Sequence, residues 1–394
     1  MRAAAPRHAL PAGGMMAGTP VRSVYVHAPF CVRRCTYCDF AVQVRRTGDM
    51  EAWLAALEGE LSAVEVEGLL SLAERLDTLY VGGGTPSLLG PSAMSGLARV
   101  VGRERLLGLG LEWTAEANPE SLTPDVAAAW REAGVNRLSL GAQTFHEPAL
   151  RWMGRMHGPE GAARAVRVAR TAGFENLSVD LIFGLPAHLE RDWSADLGGA
   201  LALDVPHVSL YGLSVEPGTP LGRAVREGRE QPVDEERYRE EFLEAAETLV
   251  RAGYEHYEVS NFARPGFASR HNGAYWTGAP YLGLGNGAHS YAPPVRRWNL
   301  RDWDDYSRKA REGASPEEGR EVLDSGALGL ERIWLGLRTS AGLPLEELGE
   351  APRRLITAWE RERWAVRDGP VVRLTPAGWL LLDRLAVELD SARA

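Results

Sequence analysis

The chain has 394 residues, 45% of them apolar and 25% charged, a balance that supports a large buried core and excludes a disordered or fibrous protein. Its formal net charge of −9 excludes general nucleic-acid binding, which needs a basic footprint. No apolar run approaches the ~18 residues of a membrane-spanning helix.

Residues 1–20, MRAAAPRHALPAGGMMAGTP, carry Arg2 and Arg7 but no acidic side chain, and Pro and Gly interrupt them. No apolar segment of the kind an export signal needs follows, so they are read as a disordered lead. From Val21 to about Val259 one unit recurs: a short β-branched run, a polar break, then a stretch of helical period. The strand candidates are VRSVYVH from Val21, LDTLYV from Leu76, LEWTAE from Leu111, VNRLSLG from Val135, ENLSVDLIF from Glu175, HVSLYGLS from His207 and YEHYEVS from Tyr254. Helical stretches between them, such as TPDVAAAWREAG, end in Gly as helix C-caps do. Six or seven such units in series predict an α/β fold, a parallel (β/α) TIM-like barrel, partial or complete, over residues 21–300. Past Arg264 the pattern changes: RHNGAYWTGAPYLGLGNGAHSYAPP is aromatic, Gly-rich and reads as loop. Residues 301–394 read as a separate C-terminal unit. From Glu331 the order is helix, helix, short hairpin, helix, a mainly helical, winged-helix-like arrangement. Ten Arg against ten Asp plus Glu from Glu331 to Ala394 favour a lid packed on the barrel over a DNA reader.

The strand ends are polar. A glycine-rich loop, Gly82-Gly83-Gly84-Thr85-Pro86, follows one strand, and Glu116, Gln143 and Asp180 stand at the ends of the next three. A βα barrel builds its site at the C-terminal ends of successive strands. Helix capping explains one such residue but not four.

All three cysteines, Cys31, Cys35 and Cys38, fall in HAPFCVRRCTYCDF directly after the first strand. An odd number of thiols at this spacing is no disulfide framework; it points to a reducing compartment, the cytoplasm, and to metal or cluster chemistry. Three thiolates can hold three irons of a [4Fe–4S] cube and leave the fourth iron open to an external amine and carboxylate, such as the methionine part of S-adenosylmethionine (SAM). A Cys3His zinc site with His27 as fourth ligand is the competing reading, although zinc sites more often pair two Cys-x2-Cys knuckles.

The cysteine spacing, with Tyr37 before the last cysteine, and the GGGTP loop resemble the radical SAM superfamily. Together with YVHAPFCVRRCTYCDF, EANPESL, LSLGAQTF, MGRMH, VDLIFGLP and LGLGNGAHSY, over roughly residues 21–300, they resemble the oxygen-independent coproporphyrinogen III oxidase-like family. ERIWLGLRTSAGLP resembles the start of that family's C-terminal domain. The resemblance implies a [4Fe–4S] cluster on Cys31, Cys35 and Cys38. It places Tyr25 beside cluster and SAM and Tyr37 near the adenine. It has Gly83, Gly84 and Thr85 contact SAM, and Glu116, Gln143, Arg155 and Asp180 supply polar contacts to it or to a second SAM. Those roles suit the residue types: Arg155 can fork a carboxylate, and Glu116 and Asp180 can accept from ribose hydroxyls.

The family has an enzyme branch, the coproporphyrinogen dehydrogenases, and a heme-chaperone branch. In the enzyme branch a fourth cysteine stands two residues after the third, where this chain has Phe40. The enzymes also carry a longer N-terminal segment than the twenty residues here. His271-Asn272-x-x-Tyr275-Trp276 matches a heme-associated HNxxYW pattern of the chaperone branch, and His and Tyr are both axial heme ligands elsewhere. The resemblance therefore implies a SAM-binding heme chaperone with His271 and Tyr275 as heme residues; the alternative is a radical SAM enzyme acting on coproporphyrinogen III or another tetrapyrrole. Implied partners are heme, a heme-acceptor protein and an electron donor such as a flavodoxin or ferredoxin, with at most transient membrane contact and no nucleic acid.

Overall fold

The computed structural model describes residues 18–393; the first seventeen residues of the expected lead lie outside them. Its last two residues are not disordered. Thr19–Val21 pairs in parallel with Leu70–Leu72, Thr19 N–H donates to Leu69 O at 3.0 Å, and the fully buried Val21 anchors the segment in the core.

Six parallel strands follow in chain order: β1 (Ser23–Ala28), β2 (Thr78–Gly83), β3 (Glu112–Ala117), β4 (Arg137–Gln143), β5 (Asn176–Phe183) and β6 (His207–Gly212). Each pairs with the next. The connecting helices are α1 (Met50–Glu67), α2 (Ala93–Val101), α3 (Pro124–Ala133), α4 (Gly161–Thr171) and α5 (Trp193–Ala202), with α6 (Glu235–Arg251) after β6. Local chemistry sets their ends. The Asp49 carboxylate accepts from Ala52 N–H at the start of α1. The Thr123 hydroxyl does the same for α3, which has Pro124 in its first turn and left-handed Gly134 at its end, the usual division of labour between Pro and Gly.

The barrel does not close. The seventh expected unit, YEHYEVS, is instead one arm of an antiparallel hairpin, β7 (Glu255–Glu258) and β8 (Asn261–Ala263), which lies antiparallel to β6. Only two residues join these strands, too few for the crossover a parallel pair needs. On the other side β1 pairs in parallel with β9 (Tyr281–Leu284), which leads into the antiparallel β10 (His289–Ala292), β11 (Val295–Asn299) and β12 (Glu317–Val322). The sheet order is β7-β8-β6-β5-β4-β3-β2-β1-β9-β10-β11-β12, an open partial barrel.

The stretch expected to be loop past Arg264 is thus mostly regular structure. It holds α7 (Arg270–Trp276) as well as β9 and β10. Helix α7 forms despite Gly273 because its N-terminus is satisfied twice. The Ser269 hydroxyl accepts from Asn272 N–H at 3.3 Å. The Glu112 carboxylate accepts from Arg270 N–H at 3.0 Å and His271 N–H at 2.9 Å, and a carboxylate is favourable there.

Beyond α8 (Trp303–Arg311), the C-terminal part comprises α9 (Ser325–Leu337), α10 (Glu350–Arg361), a three-stranded sheet of Leu343–Pro344, Ala365–Asp368 and Val371–Leu374, and α11 (Leu382–Ser391). It grips the barrel through Arg338, which lies 3.3 Å from buried Glu258 and over the rings of Trp276 and Trp334. Among the described residues no helix is long and apolar enough to cross a membrane.

Candidate cluster and cofactor site

The C-terminal strand ends and the segment after β1 surround a cavity of about 890 Å3. Cys31, Cys35 and Cys38 line it, together with Tyr25, Tyr37, Gly83, Gly84, Thr85, Glu116, Gln143, Arg155, Asp180 and Tyr275. Of the residues expected to touch the cluster, SAM or heme, only His271 is not in this wall.

The glycine loop is shaped by what faces it. Gly83 has φ +106°, and a Cβ there would lie 2.3 Å from the His27 ring. A Cβ on Gly82 would lie 2.7 Å from the Glu116 carboxylate. Position 83 therefore needs glycine, and at position 82 a larger residue would push the Glu116 carboxylate aside. Gly83 N–H donates to Glu116 Oε2 at 3.0 Å, and the Tyr80 hydroxyl donates to Oε1 at 2.7 Å. Burial and the neighbouring Asp180 push the Glu116 carboxyl up to about 7. Asp180 accepts from the Ser139 hydroxyl at 3.0 Å, and burial raises it too. Gln143 sits at a register shift in β4 with φ +66°, a conformation that costs energy in a residue with a side chain and that re-aims it toward the cavity.

Arg155 closes one wall. Its Nη2 donates to Asn118 Oδ1 at 2.8 Å and Gly141 O at 2.6 Å, and its Nη1 lies 3.9 Å from Cys35 Sγ. Its buried Nε–H has no partner, so the guanidinium keeps a donor in reserve for an anionic group. Asn118 also donates to the Thr85 hydroxyl at 3.1 Å, which lies 3.5 Å from Cys31 Sγ. Burial pushes the Cys31 thiol up to about 11 and raises Cys38, so iron must displace protons to bind these thiols.

The zinc reading loses its fourth ligand. His27 Nε2–H donates to Ala41 O at 3.0 Å, which leaves Nδ1 to accept from the Tyr25 hydroxyl at 3.0 Å. Burial lowers His27 to about 4, so the ring is neutral. Among the described residues no three His, Cys, Asp or Glu side chains converge to hold a single metal ion. Three part-buried thiols spread over one cavity wall, with no fourth protein ligand, fit a cube whose last iron is bound from the cavity side.

His271 lies behind the cavity. It is 1% exposed, and both ring nitrogens are engaged, Nδ1 with the Thr78 hydroxyl at 2.7 Å and Nε2 with the Tyr275 hydroxyl at 2.9 Å. Burial lowers it to about 3. As the structure stands, neither nitrogen is open to an axial bond; the ring holds Tyr275 instead. Tyr275 also borders a second, aromatic cleft of about 440 Å3, walled by Trp276, Tyr281, His289, Tyr291, Trp298 and Trp334, with Arg296 at its side.

Several wall residues escaped the sequence reading. Asn118 stands two residues beyond Glu116, and Tyr211 lies near the end of β6, whereas Asp180, expected at a strand end, faces the cavity from the middle of β5. Glu60 gave no signal: from α1 its carboxylate accepts from Gly285 N–H at 2.8 Å and the Tyr306 hydroxyl at 2.6 Å, fixing the LGLGNGAHSY turn under the site.

Partial barrel, glycine loop and open three-thiol wall together define a radical SAM protein, and the radical SAM superfamily pattern matches residues 25–198. The heme chaperone HemW of Mycobacterium tuberculosis is 38% identical over 95% of this chain and 96% of its own length. HemW of Bacillus subtilis is 34% identical over 84% and 86%. Among solved structures, the coproporphyrinogen III oxidase HemN of Escherichia coli, a radical SAM enzyme, aligns with TM-score 0.77 over 96% of this chain and 91% of its own, at 21% identity; that likeness concerns the fold. The chain belongs to the HemW family of heme chaperones. Membership in the radical SAM class implies a [4Fe–4S] cluster and SAM.

Proposed function

We propose that this protein binds heme and passes it to an acceptor protein, with a [4Fe–4S] cluster and SAM in the large cavity. The kinship with HemW chaperones across nearly the whole chain carries the reading. Phe40, 61% exposed at the cavity mouth, agrees with it, because it stands where the coproporphyrinogen dehydrogenases have a fourth cysteine.

Cys31, Cys35 and Cys38 would hold the cluster, leaving one iron for the amino-acid part of SAM. The chemistry such a cluster would supply there is the single electron that reductive SAM cleavage needs. Gly83, Gly84 and Thr85 offer the loop edge to SAM, and the free Nε–H of Arg155 suits its carboxylate. Glu116, Gln143 and Asp180 present hydrogen-bonding groups, while Tyr25 and Tyr37 give aromatic walls. Heme belongs at Tyr275 and the adjoining aromatic cleft, where flat rings can cover a porphyrin. His271 serves there by positioning Tyr275. The unpaired thiols suit a reducing cytoplasm, with any membrane-bound acceptor met by transient contact.

The test is turnover. Reconstituted anaerobically and given SAM, reductant and coproporphyrinogen III, the protein is expected to form no protoporphyrinogen; its formation would establish the dehydrogenase instead.

A further inference from the structure

Heme iron is held by an axial ligand, most often histidine, and the described histidines narrow the choice to one. His27, His207 and His271 have both ring nitrogens engaged. His146, His157, His188 and His256 border neither the large cavity nor the aromatic cleft. His289 borders both. It is exposed, and its ring has no hydrogen bond or ion pair among the described residues.

Its strand aims it. His289 and Tyr291 alternate with Ser290 along β10, and the Ser290 hydroxyl is turned the other way, accepting from Gly283 N–H at 3.0 Å. His289 pairs across to Trp298 on β11, and the two rings stack at 28° with centroids 5.9 Å apart. Trp298 thus fixes the plane of the imidazole, while the nitrogens on the ring edge keep no partner. Partial desolvation, with Arg296 and Arg301 nearby, holds the ring below the usual histidine range, so at neutral pH it has a lone pair to give.

The other groups around the cleft are poorer ligands. Tyr275, Tyr281 and Tyr291 would have to lose a proton to bind iron, and desolvation raises all three. Among the described residues Arg296 is the one cation bordering the cleft, and it is matched by Glu321 at 3.0 Å and by Glu331. With no free cation there for the propionates, the bond to iron fixes the heme.

We infer that His289 is the axial ligand of the bound heme, presented at the lip where the large cavity and the aromatic cleft meet, an inference that rests on the heme-binding reading given above. The imidazole lone pair fills one axial position of the iron, and no proton is released. Among its described residues the cleft holds no second histidine, cysteine or methionine, so the iron is left five-coordinate. An acceptor's own ligand can then take the iron from the free face as the bond to His289 breaks.

The test is resonance Raman spectroscopy of the full chain at saturating ferrous heme, excited in the Soret band, in the wild type, His289→Ala, His289→Met and His271→Ala. The iron–imidazole stretching band is expected in the wild type and in His271→Ala. It is expected to vanish in both His289 variants and to return to His289→Ala with free imidazole, which requires a folded cleft. His289→Met keeps the bulk of the side chain and is expected to retain heme with a shifted Soret band. The iron–imidazole band persisting in either His289 variant, its loss in His271→Ala, its absence from heme-loaded wild type, or no return with imidazole would overturn the assignment. If the wild type does not bind heme saturably, the heme-binding reading itself fails and the ligand falls with it; saturable binding with the band unmoved in the His289 variants removes the ligand alone.

Discussion

Arg155 concentrates the chemistry of the site in one side chain. Two of its nitrogens are committed to Asn118, Gly141 and the neighbourhood of Cys35, and the third is buried without a partner. A buried donor left unmet costs roughly 1–3 kcal/mol, which a bound carboxylate would recover. Lysine keeps the charge but not the fork. Arg155→Lys is therefore expected to weaken SAM binding about tenfold, on the scale of one charge-assisted hydrogen bond, with the iron content unchanged; equilibrium dialysis against labelled SAM and iron analysis check both. The cysteines and the glycine loop were legible because each lies in a short run whose spacing carries its chemistry, whereas Arg155 came only with the family resemblance. Glu60 was not legible. Its partners Gly285, Asn299 and Tyr306 lie 225, 239 and 246 residues away, and an isolated Glu on a helix looks like any solvated side chain.

Helix α7 shows how one element ties two cavities together. His271 and Tyr275 stand one turn apart, and their mutual hydrogen bond fixes the phenol at the cavity wall. If His271 acts only through Tyr275, His271→Ala and Tyr275→Phe should weaken heme binding by similar factors and leave the Soret band in place. A band moved in His271→Ala alone would make His271 an axial ligand. The helix itself was read as loop because the Glu112 carboxylate that satisfies its first turn comes from a distant strand. Helix α1 carries a different signal, the pH dependence of stability. Burial pushes Glu60 up to about 7 from an ordinary 4.5, so between these values the folded chain holds a proton that the unfolded chain releases. The contribution of this group to stability is then greatest below about 4.5 and falls as pH rises toward about 7, by on the order of 3 kcal/mol. Glu116, also near 7, adds a slope of the same sign. Denaturant titrations of the cluster-free protein at several pH values are expected to show this decline, and Glu60→Gln to flatten part of it.

Across the whole molecule, the serial β/α units made the parallel half of the sheet legible, since each strand and its helix are neighbours in sequence. The opening of the barrel was not, because YEHYEVS has the composition of the other strands, and it is the short reversed strand β8 that inserts between it and β6. The same holds for the run from β9 to β12, whose aromatic and glycine content hides strands that pair at the far edge of the sheet. This extension brings the aromatic cleft against the cluster cavity, with Tyr275, Tyr281 and His289 common to both walls. The molecule thus sets an aromatic cleft beside the cavity lined by the cysteines, which is where the proposed function seats heme. The central claim is tested most directly by titrating the reconstituted protein anaerobically with heme and following the Soret absorbance. Saturation at one heme per chain is expected; a response that never saturates, or that is the same as for heme in buffer, would contradict it.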